Sequence, residues 1–108
     1  MSETVEYHGI KVSKDRIEAF CRRWRVKELS VFGSILRDDF RPESDIDVLV
    51  AFAPSTSWRL DDILEMKDQL QKIFGRPVDL VERRLVESSP NYIRRKHILN
   101  NLETLYVA

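Results

Sequence analysis

The sequence predicts one α/β domain, of the α+β kind, in the order helix, strand, short helix or turn, strand, helix, strand, helix. Ile17, Phe20, Cys21 and Trp24 fall at i, i+3, i+4 and i+7, the stripe of an amphipathic helix. The apolar run Val48 to Ala53 has the length and character of a central strand buried on both faces. A second helical pattern stops at Gly75, and a third apolar segment follows it within three residues. A chain of 108 residues builds one core, so residues 1–108 are expected to be a single domain.

Residues 1–12, with Val5, Tyr7, Ile10 and Val12, read as an extended lead-in. Ser13 offers a capping oxygen to the first helix, and Asp15 suits its first turn. Trp24 and Cys21 are core residues on this reading, and a buried thiol is ordinarily inert. Lys27 to Phe32 forms a strand, with Leu29 and Val31 on one face, and runs into Gly33-Ser34. Residues 35–44 are polar and contain Pro42, giving a turn or short helical piece and then a loop. Ser44 to Phe52 is the second strand, and Pro54-Ser55-Thr56-Ser57 the clearest loop.

A long helix then runs from Ser57 or Trp58 to Phe74, with Leu60, Ile63, Leu64, Leu70, Ile73 and Phe74 as its stripe. Pro77 to Val81 is a third strand with Asp79 set among apolar residues. Ser89-Pro90 opens a last helix, whose inner face carries Tyr92, Leu99, Leu102 and Tyr106.

Composition removes several function classes. No apolar run approaches a membrane span and no signal-peptide pattern opens the chain, so a cytoplasmic protein without a membrane partner is expected. One cysteine excludes an internal disulfide or a Cys-based zinc cluster. Eighteen basic residues balance eighteen acidic ones, which argues against direct nucleic-acid binding. The charge is unevenly spread. Residues 11–27 carry seven Lys/Arg against two acids, and residues 83–108 five against two, around an acidic stretch at 28–50. Solvated helix faces explain such runs, and basic flanks around a cation-filled centre suit a polyphosphate.

Asp45 and Asp47 sit two apart on a predicted strand, on one face and about 7 Å apart. Two such carboxylates beside an apolar run repel each other and lose hydration, which calls for a cation. Hard oxygen ligands point to Mg²⁺ or Mn²⁺. Asp79 completes a three-carboxylate cluster if its strand neighbours theirs, and two metal ions then become possible. The Gly33-Ser34 turn supplies close backbone approach and a hydroxyl for a polyphosphate, with Arg37 a turn further on. His8 and His97 lack any ligand spacing and read as surface or packing residues. Arg94-Arg95-Lys96 reads as a solvated helix face, or else as a contact for a partner or phosphate. Trp58 packs at a helix start or lies near a nucleotide base.

Gly33-Ser34, ten residues, then Asp45-Ile46-Asp47 resembles the signature of the DNA polymerase β-like nucleotidyltransferase superfamily, and the surrounding text resembles its minimal prokaryotic branch. The resemblance implies a nucleotidyltransferase fold, a small mixed β-sheet flanked by helices. It also implies metal-dependent transfer of a nucleotidyl group from an NTP with loss of pyrophosphate. Gly33, Ser34 and Arg37 would hold the triphosphate; Asp45, Asp47 and Asp79 would be both metal ligands and catalytic acids, with Asp79 helping to activate the acceptor hydroxyl. Where many relatives read Gly-Ser-Arg-Ala-Arg-Gly, Ile35, Leu36 and Asp38 depart and Arg37 agrees.

Minimal nucleotidyltransferases of this kind are paired with HEPN-domain ribonuclease toxins. The resemblance therefore implies an antitoxin that transfers AMP from ATP to a toxin tyrosine, with Mg²⁺. Two alternatives stand beside it: a non-catalytic subunit that neutralises its partner by occlusion, and a subunit acting on RNA or a small molecule.

Overall fold

The computed structural model describes residues 4–7, 10–33 and 45–108. The lead-in is not merely extended. β1 (Thr4–Tyr7) and β2 (Ile10–Ser13) pair antiparallel, with Val5 opposite Val12. Ser13 then caps α1 (Lys14–Arg23), its Oγ accepting from the Arg16 amide at 3.4 Å. Ile17, Phe20, Cys21 and Trp24 are all buried, as the periodicity predicts.

The main sheet has the order β5-β4-β3-β6. β3 (Val26–Phe32) pairs antiparallel with β4 (Ile46–Phe52) and with β6 (Leu102–Val107), while β4 runs parallel to β5 (Val78–Glu82). The sheet is therefore mixed. β4 is an inner strand with Ile46, Val48, Leu49 and Val50 buried, which is why its sequence is apolar without alternation.

α2 (Leu60–Phe74) starts later than the sequence suggests, where the Asp62 carboxylate accepts from the Arg59 amide at 3.0 Å. It stops at Gly75 with φ 74°, as expected. Its apolar stripe is rotated from the predicted one. Met66, Leu70 and Phe74 are buried, Ile63 and Ile73 flank them, and Leu60 and Leu64 face outward. Leu64 lies about 120° around the helix from Leu70, so only one of the two can face the sheet.

The C-terminal quarter departs most from expectation. α3 (Arg83–Glu87) follows β5 directly, and α4 (Tyr92–Asn100) begins after Ser89 Oγ accepts from the Asn91 amide at 3.3 Å. Leu102 and Tyr106 lie on β6 opposite Phe32 and Leu29, not on a helix, and Tyr92 is exposed. The chain thus adds β1, β2, α3 and β6 to the predicted order, and the turn or short helical piece expected at residues 35–44 lies outside the described residues. A spacing of four satisfies both the helical and the strand period, and open hydrogen-bonding groups on β3 decide between them.

The two faces of the sheet bury different things. Val31, Val48, Val50 and Val78 pack with α1 and α2 in the main core. The opposite face holds a smaller core of Phe32, Leu49, Val86 and Ile98, roofed by α3 and α4. Among the described residues, no helix is long and apolar enough to cross a membrane.

Candidate active site

Asp47 and Asp79 lie on the smaller-core face, at one end of the sheet, whereas Asp45 stands just before β4, outside the strand that the sequence predicts for it. Strand side chains alternate, so Asp47 shares the face of Leu49, and Asp79 shares that of Val81. The parallel register sets Asp47 directly opposite Asp79, and the antiparallel register sets Phe32 opposite Asp47 on the other side. Asp45 stands two residues before Asp47, at the open end of β4. Asp47 is half-buried; Asp45 and Asp79 are exposed. Two hydrogen bonds fix this end of the sheet. The Ile46 amide donates to the Pro77 carbonyl at 3.0 Å, and the Val78 amide donates to Gln71 Oε1 on α2 at 3.2 Å.

Gly33 follows Phe32 at the end of β3 with φ 75°. A β-carbon built there would overlap Asp47 Oδ2 and stand 3.3 Å from Asp47 Cγ. The glycine thus serves the carboxylate as well as the turn: its missing side chain is the space that Asp47 occupies. Reading Gly33 as a phosphate turn alone misses this role, because the antiparallel pairing of β3 with β4 that brings Asp47 to it is not written locally in the sequence. Ser34 and Arg37, with the departures at Ile35, Leu36 and Asp38, lie outside the described residues.

No three His, Cys, Asp or Glu side chains among the described residues form a ready-made metal cage. That is compatible with Mg²⁺, which usually keeps several waters and takes one or two carboxylates together with substrate phosphates. Paired hard-oxygen donors, brought side by side by strand register, suit a hard divalent cation that takes its remaining ligands from water or phosphate.

Trp58 does not belong to this site. Its ring packs edge-on at 5.2 Å from Trp24 and 6.3 Å from Phe52, in the main core on the other face. His97 is exposed, and His8 lies outside the described residues. Arg95 donates to the carbonyls of Glu87 and Ser89 at 3.3 and 3.4 Å. A cavity of about 490 Å³ opens at the far end of the sheet beside Lys27, Phe52 and Arg83. Ion pairs occupy its rim: Arg83 with Glu28 at 3.3 Å and with Glu87 at 3.1 Å, and Arg84 with Glu82 at 2.9 Å.

Residues 14–102 match the nucleotidyltransferase domain family. A Methanocaldococcus jannaschii protein assigned as a protein adenylyltransferase is 36% identical over 92 residues, 85% of this chain and 92% of that one. The protein adenylyltransferase MntA of Thermococcus cleftensis is 36% identical over 66 residues, 61% of this chain and 65% of MntA. The match therefore spans most of the first relative and just under two thirds of the second. A toxin–antitoxin complex with AMP-PNP superposes with a TM-score of 0.66 at 20% identity, covering 88% of this chain and 73% of that one. A complex of tri-AMPylated Shewanella oneidensis HEPN toxin with its MNT antitoxin gives 0.58 at 18% identity, covering 88% and 70%. At such identities the two complexes bear on the fold. The family match spans both strands that carry Asp47 and Asp79, Gly33 ahead of them and the helices that roof them: the chain belongs to the nucleotidyltransferase domain family.

Proposed function

We propose that this nucleotidyltransferase is a protein adenylyltransferase and the antitoxin of a HEPN-domain toxin, moving AMP from ATP to a tyrosine hydroxyl. The observation that carries the reading is the in-register pair Asp47 and Asp79, with Gly33 pressed against Asp47. The named activity of the relatives and the toxin complexes among the structural neighbours give the acceptor class.

In the reaction, the tyrosine oxygen attacks the α-phosphorus of ATP, the bond from that phosphorus to the β-phosphate bridging oxygen breaks, and pyrophosphate leaves. Asp79, exposed at the sheet end, takes the hydroxyl proton. Gly33 admits the triphosphate close to the backbone, Ser34 donates to it, and Arg37 adds a cation. Mg²⁺, as two ions held by Asp45, Asp47 and Asp79, would neutralise charge on the reacting and leaving oxygens, and Mn²⁺ has the same ligand preference. The reading places the protein in the cytoplasm with its toxin.

The test is incubation with ATP labelled at the α-phosphate, Mg²⁺ and the product of the neighbouring gene. Label on a partner tyrosine, lost in Asp45→Asn, is expected. An unlabelled partner, or label undiminished in the variant, overturns it. An Asp47→Asn protein that still protects cells from the toxin would establish occlusion instead.

A further inference from the structure

The helical roof over the smaller core carries both cationic and large apolar side chains on its outside. Three large apolar side chains there stay open to water: Ile93 is 79% exposed, Leu85 64% and Tyr92 60%. The Arg95 guanidinium stands 5.4 Å above the Tyr92 ring and ties the start of α4 to the end of α3 through the Glu87 and Ser89 carbonyls. Leu85 and Arg95 border a cavity of about 160 Å³ floored by Val81, Val86 and Ile98. Tyr92, Arg95 and Leu85 therefore border one surface with an apolar hole in it.

Its location gives it meaning. Val81 is two residues beyond Asp79 on the same strand face, so the floor of the hole begins about 7 Å along the β5 backbone from Asp79. One side of its rim is cationic. Arg95 borders the hole, and Lys96, next to it on α4, is exposed and forms no ion pair among the described residues, whereas Arg83 and Arg84 are paired with Glu28, Glu87 and Glu82. An apolar anchor flanked by positive charge selects an occupant of opposite pattern.

We infer that this roof docks the acceptor protein itself, through a segment with an apolar side chain that enters the hole beside Leu85 and acidic residues that face Arg95 and Lys96. Docking there carries the acceptor hydroxyl along β5 towards Asp79. The inference rests on the adenylyltransferase reading for the identity of the occupant, but its binding step can be measured without any transfer.

The experiment uses the full chain and the HEPN partner, first by calorimetry without ATP and then in the transfer assay. Leu85→Glu and Ile93→Asp alter exposed positions, and Lys96→Glu reverses the exposed charge. We expect Kd and acceptor KM to rise about tenfold for Leu85→Glu, with kcat at saturating acceptor and the KM for ATP unchanged. Lys96→Glu should weaken binding and flatten its salt dependence. Equal Kd across wild type and all three variants, or no binding at all, overturns the docking surface. Variant-sensitive binding without transfer by the wild type supports the surface and removes the adenylyltransferase reading. If light scattering shows that Leu85→Glu converts a dimer of this chain to monomer, the patch is a self-contact and the inference fails.

Discussion

Asp47 and Asp79 are Cα partners across the parallel strands β4 and β5, so their carboxylates leave adjacent backbones on one face of the sheet. The pairing places like charges side by side, an arrangement that costs stability wherever no cation joins them. Replacing Asp79 with Asn should therefore lower AMP transfer by about 10²-fold or more while leaving the thermal midpoint equal or raised. Initial rates and melting curves on the same preparation check this. A normal rate would remove Asp79 from the reaction, and a large fall in midpoint would make it a structural residue.

Gly33 and Gly75 have nearly the same backbone, φ 75° and 74°, but different surroundings. A β-carbon at Gly75 meets nothing within 4 Å, whereas at Gly33 it collides with the Asp47 carboxylate. Gly75→Ala should cost about 1 kcal/mol through the left-handed backbone alone and leave transfer intact. Gly33→Ala should cost more and should also abolish transfer, because Asp47 must move. Urea titration of both variants, with rates, separates the two effects; equal losses and equal rates would show that Gly33 is only a turn.

Much of this was legible in the sequence because local signals agreed with the fold. Ser13, Gly75 and the stripe from Ile17 to Trp24 each mark an element that forms where they say it does. The acids were legible because charge inside an apolar strand demands a reason. What could not be read locally was pairing. That β4 lies beside β5 in the register that matches Asp47 to Asp79, or that Leu102 to Val107 joins β3, depends on contacts many residues away. Leu64 misled because α2 carries more apolar residues than its buried face holds.

Gln71 ties helix to site. Its Oε1 accepts from the amide of Val78, the residue before Asp79, in a partly buried position. Gln71→Leu keeps the volume and removes the acceptor, stranding that amide, and should cost about 1–3 kcal/mol. Gln71→Glu keeps an acceptor and should recover most of it. Chemical denaturation of the pair decides, and a Gln71→Leu protein as stable as wild type would mean that water replaces the bond.

Cys21 is fully buried on α1, and burial pushes its thiol up from an ordinary value of about 9 to about 12. The folded protein therefore holds this proton where the unfolded chain has released it. The stabilisation is complete below about pH 9 and is lost as pH rises towards about 12, at about 1.4 kcal/mol per pH unit. Cys21→Ala removes that dependence, so the stability gap between wild type and variant should narrow steadily above pH 9. Parallel urea titrations at pH 8, 9.5 and 10.5 measure it, and subtracting the variant cancels the lysines and tyrosines that titrate in the same range. In the native protein the thiol should also resist an alkylating reagent at pH 8 and react only on unfolding. A constant gap, or rapid native-state alkylation, would show that Cys21 is reached by water in solution and that the contact between α1 and β3 opens readily.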